Sequence, residues 1–369
     1  MRVQLIFALV LTAAIGAGAL AAEAPKTETS GPATVAVLQF KNLCGDASLD
    51  WLGFGFAESL CTKLANAESI QVVERTRLSE AMKELKLQDT AIVDPKTAGK
   101  LGKVVGAKYV IIGSFQKVGS AFKADARRVE VQTSIASGGV EATGTYEKVF
   151  DVQSDLALKL MESFGKKVTA AVKEAVAKPE TKSLSAYEFN AKGLRETQVM
   201  NFLGGIESFT KAIEEDPNYC EAYYNRGGAR FIMGDYMNAS YDLNKAVELD
   251  PKNVMAYVTR GMAYAASMNF PMAFADFNKA IEVAPKDFRG YAGRAIAYNS
   301  VGNYMMAMQD LNKVIELNPK LPEARFSRAM FYIGMGNIQA ARADVKKGEE
   351  LGGVCPPQIK MTLSSYPSY

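Results

Sequence analysis

The chain has 369 residues, of which 43 are basic, 40 are acidic and none is histidine. The near balance of charge gives no reason to expect nucleic acid as a partner, and the absence of histidine excludes His-dependent triads, His general bases and His metal sites. A chain of this length is too long for one ordinary core, so we expect two domains.

The first 22 residues have the pattern of an export signal. A short positive region precedes apolar residues 5–20, and a small-residue cleavage site ends at Ala21 or Ala22. We expect cleavage here, with an uncleaved anchor as the alternative. No later apolar run of about 18 residues exists, so we expect no transmembrane helix. Residues 23–32 are polar, contain two prolines and are expected to be a flexible lead.

Residues 33–177 have the pattern of an α/β domain. Short β-branched apolar runs predict strands, and apolar residues at helical spacing predict helices between them. The predicted strands lie at 34–40, 70–74, 109–115, about 121–134 and about 140–151, and the predicted helices begin at Asp50, at Thr76 or Ser79, at Pro95 and at about Gln153. We expect a hairpin turn at residues 137–139 and an unbroken last helix to Ala177. This order predicts an α/β sandwich with a mixed sheet.

Several short sequence blocks in this domain carry a family resemblance. They are Val-Ala-Val-Leu-Gln-Phe-Lys-Asn-Leu followed by Gly45-Asp46, Leu-Asp-Trp-Leu-Gly with Glu58-Ser-Leu, Val-Val-Glu-Arg-Thr, and Gly106-Ala-Lys-Tyr-Val with Gly113-Ser. With these blocks, residues 33–170 resemble the CsgG/TolB-like family of exported envelope proteins. The resemblance implies a domain for envelope assembly or oligomerisation, and its best-known member is a lipid-anchored outer-membrane channel that secretes curli subunits.

Two features of the sequence depart from that channel. No lipid-bearing cysteine follows the signal, and the strands between 113 and 151 have no continuous apolar side for lipid. The charged residues of those strands are Lys117, Lys123, Asp125, Arg127, Arg128 and Glu130. We therefore expect a soluble periplasmic module of the same fold.

The C-terminal half repeats one sequence frame at a constant spacing. Pro217, Pro251, Pro285 and Pro319 each follow an aromatic residue, an Arg-Gly or Arg-Ala pair and an Ala-x-x-x-Phe or Ala-x-x-x-Leu segment in the better copies. This frame resembles the tetratricopeptide repeat (TPR), a helix-turn-helix unit, and predicts an all-α solenoid. A linker is predicted at 178–185, five repeats at 186–219, 220–253, 254–287, 288–321 and 322–353, and a capping helix and tail at 354–369.

Two polar positions also recur with this period. They are Arg226, Arg260, Arg294 and Arg328, each followed 16 residues later by Asp242, Asp276, Asp310 or Asp344. Because the members of a pair lie equally far from the turn, they are level on the two antiparallel helices. We predict that these pairs are structural clamps within each repeat and that they bridge to neighbouring repeats. The alternative is a basic stripe that binds an anion.

The first helices of the repeats are expected to line a groove. By analogy with the family, the partner-binding residues are Tyr224, Asn225, Phe231, Ile232, Val258, Met262, Ile296, Asn299, Phe326 and Met330. Adaptable methionine and aromatic side chains suit the recognition of a peptide or helix. The alternative for about half of them is a place in the core between repeats.

The sequence predicts no catalytic, cofactor-binding or metal-binding residues. Gly53-Phe-Gly55 lacks the third glycine of a dinucleotide fingerprint, no phosphate loop is present, and serine and cysteine residues have no histidine partner. We expect a non-catalytic, periplasmic scaffold that binds a protein or peptide and self-associates through the α/β domain. A position peripheral to the outer membrane is one form of this expectation. A component of a secretion channel is the alternative.

Overall fold

The computed structural model describes residues 33–67, 69–73, 75–87, 94–165 and 168–366. The predicted export signal and flexible lead lie outside the described residues. The chain forms two compact units, the first ending at Ala222 and the second beginning at Tyr223. The first predicted repeat, 186–219, therefore belongs to the same unit as the α/β domain.

The described part of the first unit contains both strands and helices. Its strands are β1 (Ala33–Val37), β2 (Lys41–Asn42), β3 (Ile70–Val72), β4 (Tyr109–Val118), β5 (Ala121–Glu130) and β6 (Ile135–Thr145). Its helices are α1 (Asp50–Leu64), α2 (Arg75–Glu84), α3 (Pro95–Val105), α4 (Val149–Ser163), α5 (Ala170–Ala177), α6 (Leu184–Gln198) and α7 (Phe202–Glu215).

The strands form one mixed sheet in the order β3-β1-β4-β5-β6, and β2 pairs with β4. β1 runs parallel to both of its neighbours, and Val35 lies opposite Val72 on one side and Tyr109 on the other. β4, β5 and β6 are antiparallel and are joined by tight connections. The parallel pairs need longer crossovers, which the helices provide.

Helices cover both faces of this sheet. On one face, Val35, Val37 and Ile111 pack in a core with residues of α1 and α4. On the other face, Ala36 and Leu38 pack in a second core with residues of α2 and α3. Because successive side chains of a strand point to opposite faces, a strand between two helical layers must be apolar throughout. The predicted α/β sandwich with a mixed sheet is confirmed.

Two glycines allow α1 to approach its neighbours closely. A Cβ atom at Gly53 would lie 2.2 Å from the carbonyl oxygen of Phe40, and one at Gly55 would lie 3.0 Å from the ring of Tyr187. The backbone of residue 40 also donates to the Gly53 carbonyl at 3.0 Å. The Gly-Phe-Gly segment therefore serves packing around a buried helix.

Tyr187 fixes α6 against the α/β core. Its hydroxyl donates to the carbonyl of Gly55 and accepts a hydrogen bond from Gln153 Nε2 at 2.9 Å. Its ring packs edge-on against Trp51 and Phe150, with centroid distances of 5.8 and 5.2 Å. A buried tyrosine with both its ring and its hydroxyl satisfied stabilises one orientation of the helix. The first repeat is thereby part of the first unit.

The predicted hairpin turn is wrong. The turn between β5 and β6 lies at residues 131–134, whereas Gly138 lies inside β6 with φ +63. Ala126 pairs with Val140 and Arg128 pairs with Ser137, so β6 has one extra residue there. The glycine-rich segment therefore forms a bulge, a feature that also uses left-handed glycine.

The predicted last helix of the α/β domain is also wrong in its length. It consists of two helices, because α4 ends at Ser163 and α5 begins only at Ala170. Gly165, which follows the first of them, has φ +71. A left-handed glycine just past a helix end is a common stop signal because glycine has no Cβ to clash.

The second unit is a series of helix pairs. After α8 (Cys220–Ile232), which crosses the division between units, its helices are α9 (Tyr236–Leu249), α10 (Val254–Ala266), α11 (Phe270–Val283), α12 (Phe288–Ser300), α13 (Tyr304–Leu317), α14 (Pro322–Gly334), α15 (Ile338–Glu350) and α16 (Pro357–Ser364). The predicted all-α TPR solenoid is confirmed. Among the described residues, no helix is both long and apolar enough to cross a bilayer.

The turn inside each repeat of the second unit has a fixed chemistry. The second helix begins after a side-chain cap, and the residue before the cap is left-handed. The caps are Asp235, Asn269, Asn303 and Asn337, and the left-handed residues are Gly234, Met268, Gly302 and Gly336. Glycine adopts the left-handed conformation readily, whereas for another residue this conformation costs about 1–2 kcal/mol of stability. Met268, with φ +62, is therefore the strained member.

The last helix covers the end of the array. Ile359 and Leu363 of α16 pack in one cluster with Phe326 and Val345 of the last repeat. Arg342 also donates to the carbonyl of Leu363 at 3.2 Å. The apolar face that a terminal repeat leaves open is thereby buried, as solenoids require.

Candidate partner-binding surface

An Arg–Asp pair joins the two helices of each repeat in the second unit. Nε and Nη2 of each arginine donate to the two carboxylate oxygens of the aspartate 16 residues later, at 2.5–3.0 Å. The pairs are Arg226–Asp242, Arg260–Asp276, Arg294–Asp310 and Arg328–Asp344. All four aspartates are buried, and a buried carboxylate needs such donors. The structure thus brings the predicted clamp residues together.

Three of these arginines also reach the preceding repeat. The acceptors are asparagines on its second helix, and the Nη1···Oδ1 distances are 2.7–2.8 Å. The bonds are Arg260–Asn244, Arg294–Asn278 and Arg328–Asn312. The asparagines were not predicted, although they recur with the same period as the arginines. Each of these guanidinium groups therefore ties three helices together.

The guanidinium groups have little capacity left for another ligand. Arg294 lies 5.7 Å from the ring centroid of Tyr291, and its hydrogen bond to Asp310 holds its pKa above the ordinary value. Burial raises the pKa of Asp276, and the hydrogen bond and charge of Arg260 oppose that rise. An anion would have to displace a bidentate carboxylate from each arginine. The geometry therefore favours structural clamps over a basic stripe that binds an anion.

The ten predicted groove residues lie on the first helices α8, α10, α12 and α14. The exposed or half-buried ones are Tyr224, Asn225, Phe231, Ile232, Met262 and Met330, which we call the open groove surface. The buried ones are Val258, Ile296, Asn299 and Phe326. Most of the open groove surface comes from α8, where the ring of Phe231 lies 5.6 Å from that of Tyr236.

Four of the predicted groove residues are buried, which corrects their predicted place in the groove: Val258, Ile296, Asn299 and Phe326. Val258 has no exposed surface, and Phe326 is 1% exposed. A Cβ atom at Gly348 would lie 2.4 Å from the ring of Phe326, so this ring fills the space that a glycine leaves. Helical spacing identifies the side of a helix but not which neighbour covers it. A partner cannot contact the side chains of Val258 and Phe326 without local opening.

Four polar atoms on α12 and α14 have no hydrogen-bond partner among the described residues. They are Asn299 Nδ2, Glu323 Oε2, Arg325 Nε and Ser327 Oγ. Burial also raises the pKa of Glu323. A buried polar group without a hydrogen bond costs about 1–3 kcal/mol. These helices therefore hold hydrogen-bonding capacity that the protein itself does not use.

The first unit contains a buried polar cluster beside α5. The ammonium group of Lys63 donates to the carbonyls of Val176 at 2.6 Å and Lys178 at 3.4 Å. Burial lowers the pKa of Lys63 and raises that of Glu180, whose carboxylate accepts from the Tyr219 hydroxyl at 3.3 Å. These bonds hold the segment between α5 and α6 against α1. The described residues contain no group of three or more His, Cys, Asp or Glu that could hold a metal ion.

Known proteins resemble parts of the chain. "Putative adenylate cyclase 3" of Rhizobium meliloti (strain 1021) is 22% identical over 207 residues, which are 55% of this chain and 33% of that protein. The chain thus spans about a third of the length of this curated relative.

Solved repeat structures are also similar. A MamA fragment from Desulfovibrio magneticus RS-1 is 19% identical, with a TM-score of 0.41, and covers 46% of this chain and 96% of its own. A thermophilic TPR protein of Thermus thermophilus is 20% identical, with a TM-score of 0.41, and covers 49% and 97%.

Three stretches of the chain match the sequence models of protein families. Residues 19–148 match the family described as curli production assembly/transport component CsgG. Residues 220–253 and 288–321 each match the tetratricopeptide repeat. The chain therefore carries a CsgG-like N-terminal domain followed by tetratricopeptide repeats.

Proposed function

We propose that this protein is an exported, non-catalytic scaffold of the bacterial cell envelope that binds a protein or peptide through its repeats. The observation that carries the proposal is the Arg–Asp–Asn network, which holds the first helices in fixed positions while the open groove surface stays accessible. TPR repeats generally bind protein or peptide partners, and the CsgG-like domain suggests a relation to the envelope or to secretion.

The chemistry of the open groove surface suggests the kind of partner. Phe231, Ile232, Met262 and Met330 offer apolar contacts with few charges, which suits the apolar side of a helix or an extended peptide. We propose an uncharged or weakly charged segment with apolar anchors.

Cross-linking in intact cells, followed by capture of the tagged full chain, tests this proposal. The test variant is Tyr224→Ala with Phe231→Ala, and the matched control is Met361→Ala, which removes a side chain that is 77% exposed on the last helix. We expect the test variant to lose at least 90% of one captured species and the control to keep it. Equal capture by all three proteins would contradict groove binding.

The proposal of a non-catalytic role rests on the pairing of the buried aspartates and of Lys63. The four buried aspartates of the repeats bond to arginine, and Lys63 bonds to backbone carbonyls. Self-association through the α/β domain and a periplasmic position, peripheral to the outer membrane, belong to the same proposal. Release of the protein by osmotic shock would support the position, and release only by detergent would oppose it.

A component of an outer-membrane secretion channel is the second candidate, because the matching family is described as a curli production assembly/transport component. Electron microscopy of detergent-extracted outer membranes distinguishes the two. Ring-shaped particles that contain this chain would favour the channel, and their absence in a preparation with abundant protein would favour the scaffold.

A further inference from the structure

One edge of the repeat array in the second unit is rich in exposed apolar residues and is uncharged at three of its four turns. It contains the turns between the first and second helices of successive repeats. Stacked repeats place equivalent turns in line. The most exposed methionine and tyrosine residues of these turns are Met233, Met237, Met268, Tyr304, Met305 and Met335, which we call the methionine edge. Their exposed fractions are 47%, 79%, 80%, 53%, 77% and 62%.

The sequence keeps charge away from three of the four turns of this edge, and the first turn carries Asp235. Segments 264–274, 298–308 and 332–341 surround three of the turns and contain no Asp, Glu, Lys or Arg. The turns at the opposite edge, which join one repeat to the next, carry Lys252, Lys286 or Lys320 directly after their prolines. Folding of a single repeat does not require this difference in charge between the two edges, because both kinds of turn face solvent.

The exposed area is that of a protein interface. A fully exposed methionine or tyrosine residue presents roughly 200 Å², so the residues of the methionine edge present roughly 800 Å². A monomer rarely exposes an apolar patch larger than about 300–600 Å². A standard interface covers about 800 Å² on each partner. The methionine edge therefore has the size of one half of a stable dimer interface.

We propose that the methionine edge binds the methionine edge of a second copy of this chain. In a two-fold dimer the same patch meets itself, so a charged patch would repel its copy and an uncharged one does not. Methionine is flexible, so two rows of side chains can interdigitate without prior shape complementarity. A membrane surface fits less well, because attraction to anionic lipid depends on basic residues and segments 264–274, 298–308 and 332–341 contain none.

Sedimentation velocity of the full mature chain over a range of concentrations tests this dimer. We expect a reversible dimer with a dissociation constant on the order of micromolar. Met237→Lys with Met305→Lys places like charges on both copies and should raise the dissociation constant at least 100-fold. Met361→Lys, at a site with the same exposure as Met305 (77%), is the control and should leave it unchanged.

Two results of the sedimentation experiment would overturn the proposal. One is a monomer at every concentration up to about 100 µM, at which an interface of standard size is expected to associate. The other is a dimer that both lysine variants preserve, which would place self-association elsewhere, such as the α/β domain. Circular dichroism melts of each variant show that a lost dimer is not a lost fold. Flotation with phosphatidylcholine vesicles tests whether the methionine edge binds lipid instead. Vesicle binding by the original chain that the double variant abolishes would also oppose the dimer.

Discussion

Removal of Arg294 should destabilise the repeat array strongly. The change Arg294→Ala deletes two hydrogen bonds to Asp310, at 2.8 and 2.7 Å, and one to Asn278 at 2.7 Å. Asp310 is 4% exposed, so its carboxylate would remain in the interior without its cation. Loss of one member of a buried pair costs about 3–5 kcal/mol. Because the Arg294 side chain is itself 20% exposed, we expect the lower end of that range.

The assay is thermal unfolding followed by circular dichroism at 222 nm. Trp51, the only tryptophan, lies in the first unit, so its fluorescence follows that unit while the helical signal also reports on the repeats. For a unit of this size, 1 kcal/mol lowers Tm by about 2–4 °C, so a fall of about 6–12 °C is expected. The double variant Arg294→Met with Asp310→Leu removes both charges and should recover most of the loss. A fall below about 3 °C for Arg294→Ala would refute the reasoning.

Four further predictions concern single features. Asn278→Ala removes one bond at a more exposed site and should cost about 1 kcal/mol in the same melt. Met268→Gly relieves left-handed strain and should stabilise the protein by about 1 kcal/mol. Gly55→Ala brings a methyl group against Tyr187, so urea unfolding followed by Trp51 fluorescence should show a loss of about 1–3 kcal/mol. The lowered pKa of Lys63 means that the folded state binds its proton less tightly, so stability should rise as pH rises toward the ordinary value of 10.5.

Three of these four predictions have a matched comparison. Asn312→Ala should resemble Asn278→Ala, because both asparagines accept from an arginine of the next repeat. Gly302→Ala should lower stability where Met268→Gly raises it, and equal signs would oppose the strain argument. Lys63→Met should abolish the alkaline rise in the urea midpoint, and an unchanged rise in that variant would assign it to another group.

The repeat sequence made the second unit the most predictable part of the molecule. Contacts in a solenoid lie within a repeat or between neighbours, so the constant repeat period places Arg294 and Asp310 at the same height without any knowledge of the whole fold. The Asn278 bridge follows from the same period, but it joins adjacent repeats. It becomes evident only when one helix is considered against the helix before it.

Predictions that depended on distant packing were less successful. Val258 and Phe326 have the helical spacing of groove residues, but neighbouring helices bury them. A single sequence does not specify which helix packs over a given side chain. The glycines at 138 and 139 could form either a turn or a bulge, and the pairing with β5 decides for the bulge. The break after Ser163 depends on one left-handed glycine in a segment whose apolar pattern otherwise continues.

The arginine bridges also affect how the length of the array can change. Arg260 and Arg294 hold equivalent positions, each bonded to an asparagine one repeat earlier and an aspartate in its own repeat. Removal of residues 254–287 would bring Arg294 beside Asn244 with every bond type kept. Gain or loss of one whole repeat therefore preserves the polar interior, whereas an insertion of any other length interrupts it. Evolution can lengthen or shorten this protein in steps of one complete repeat without redesigning its core.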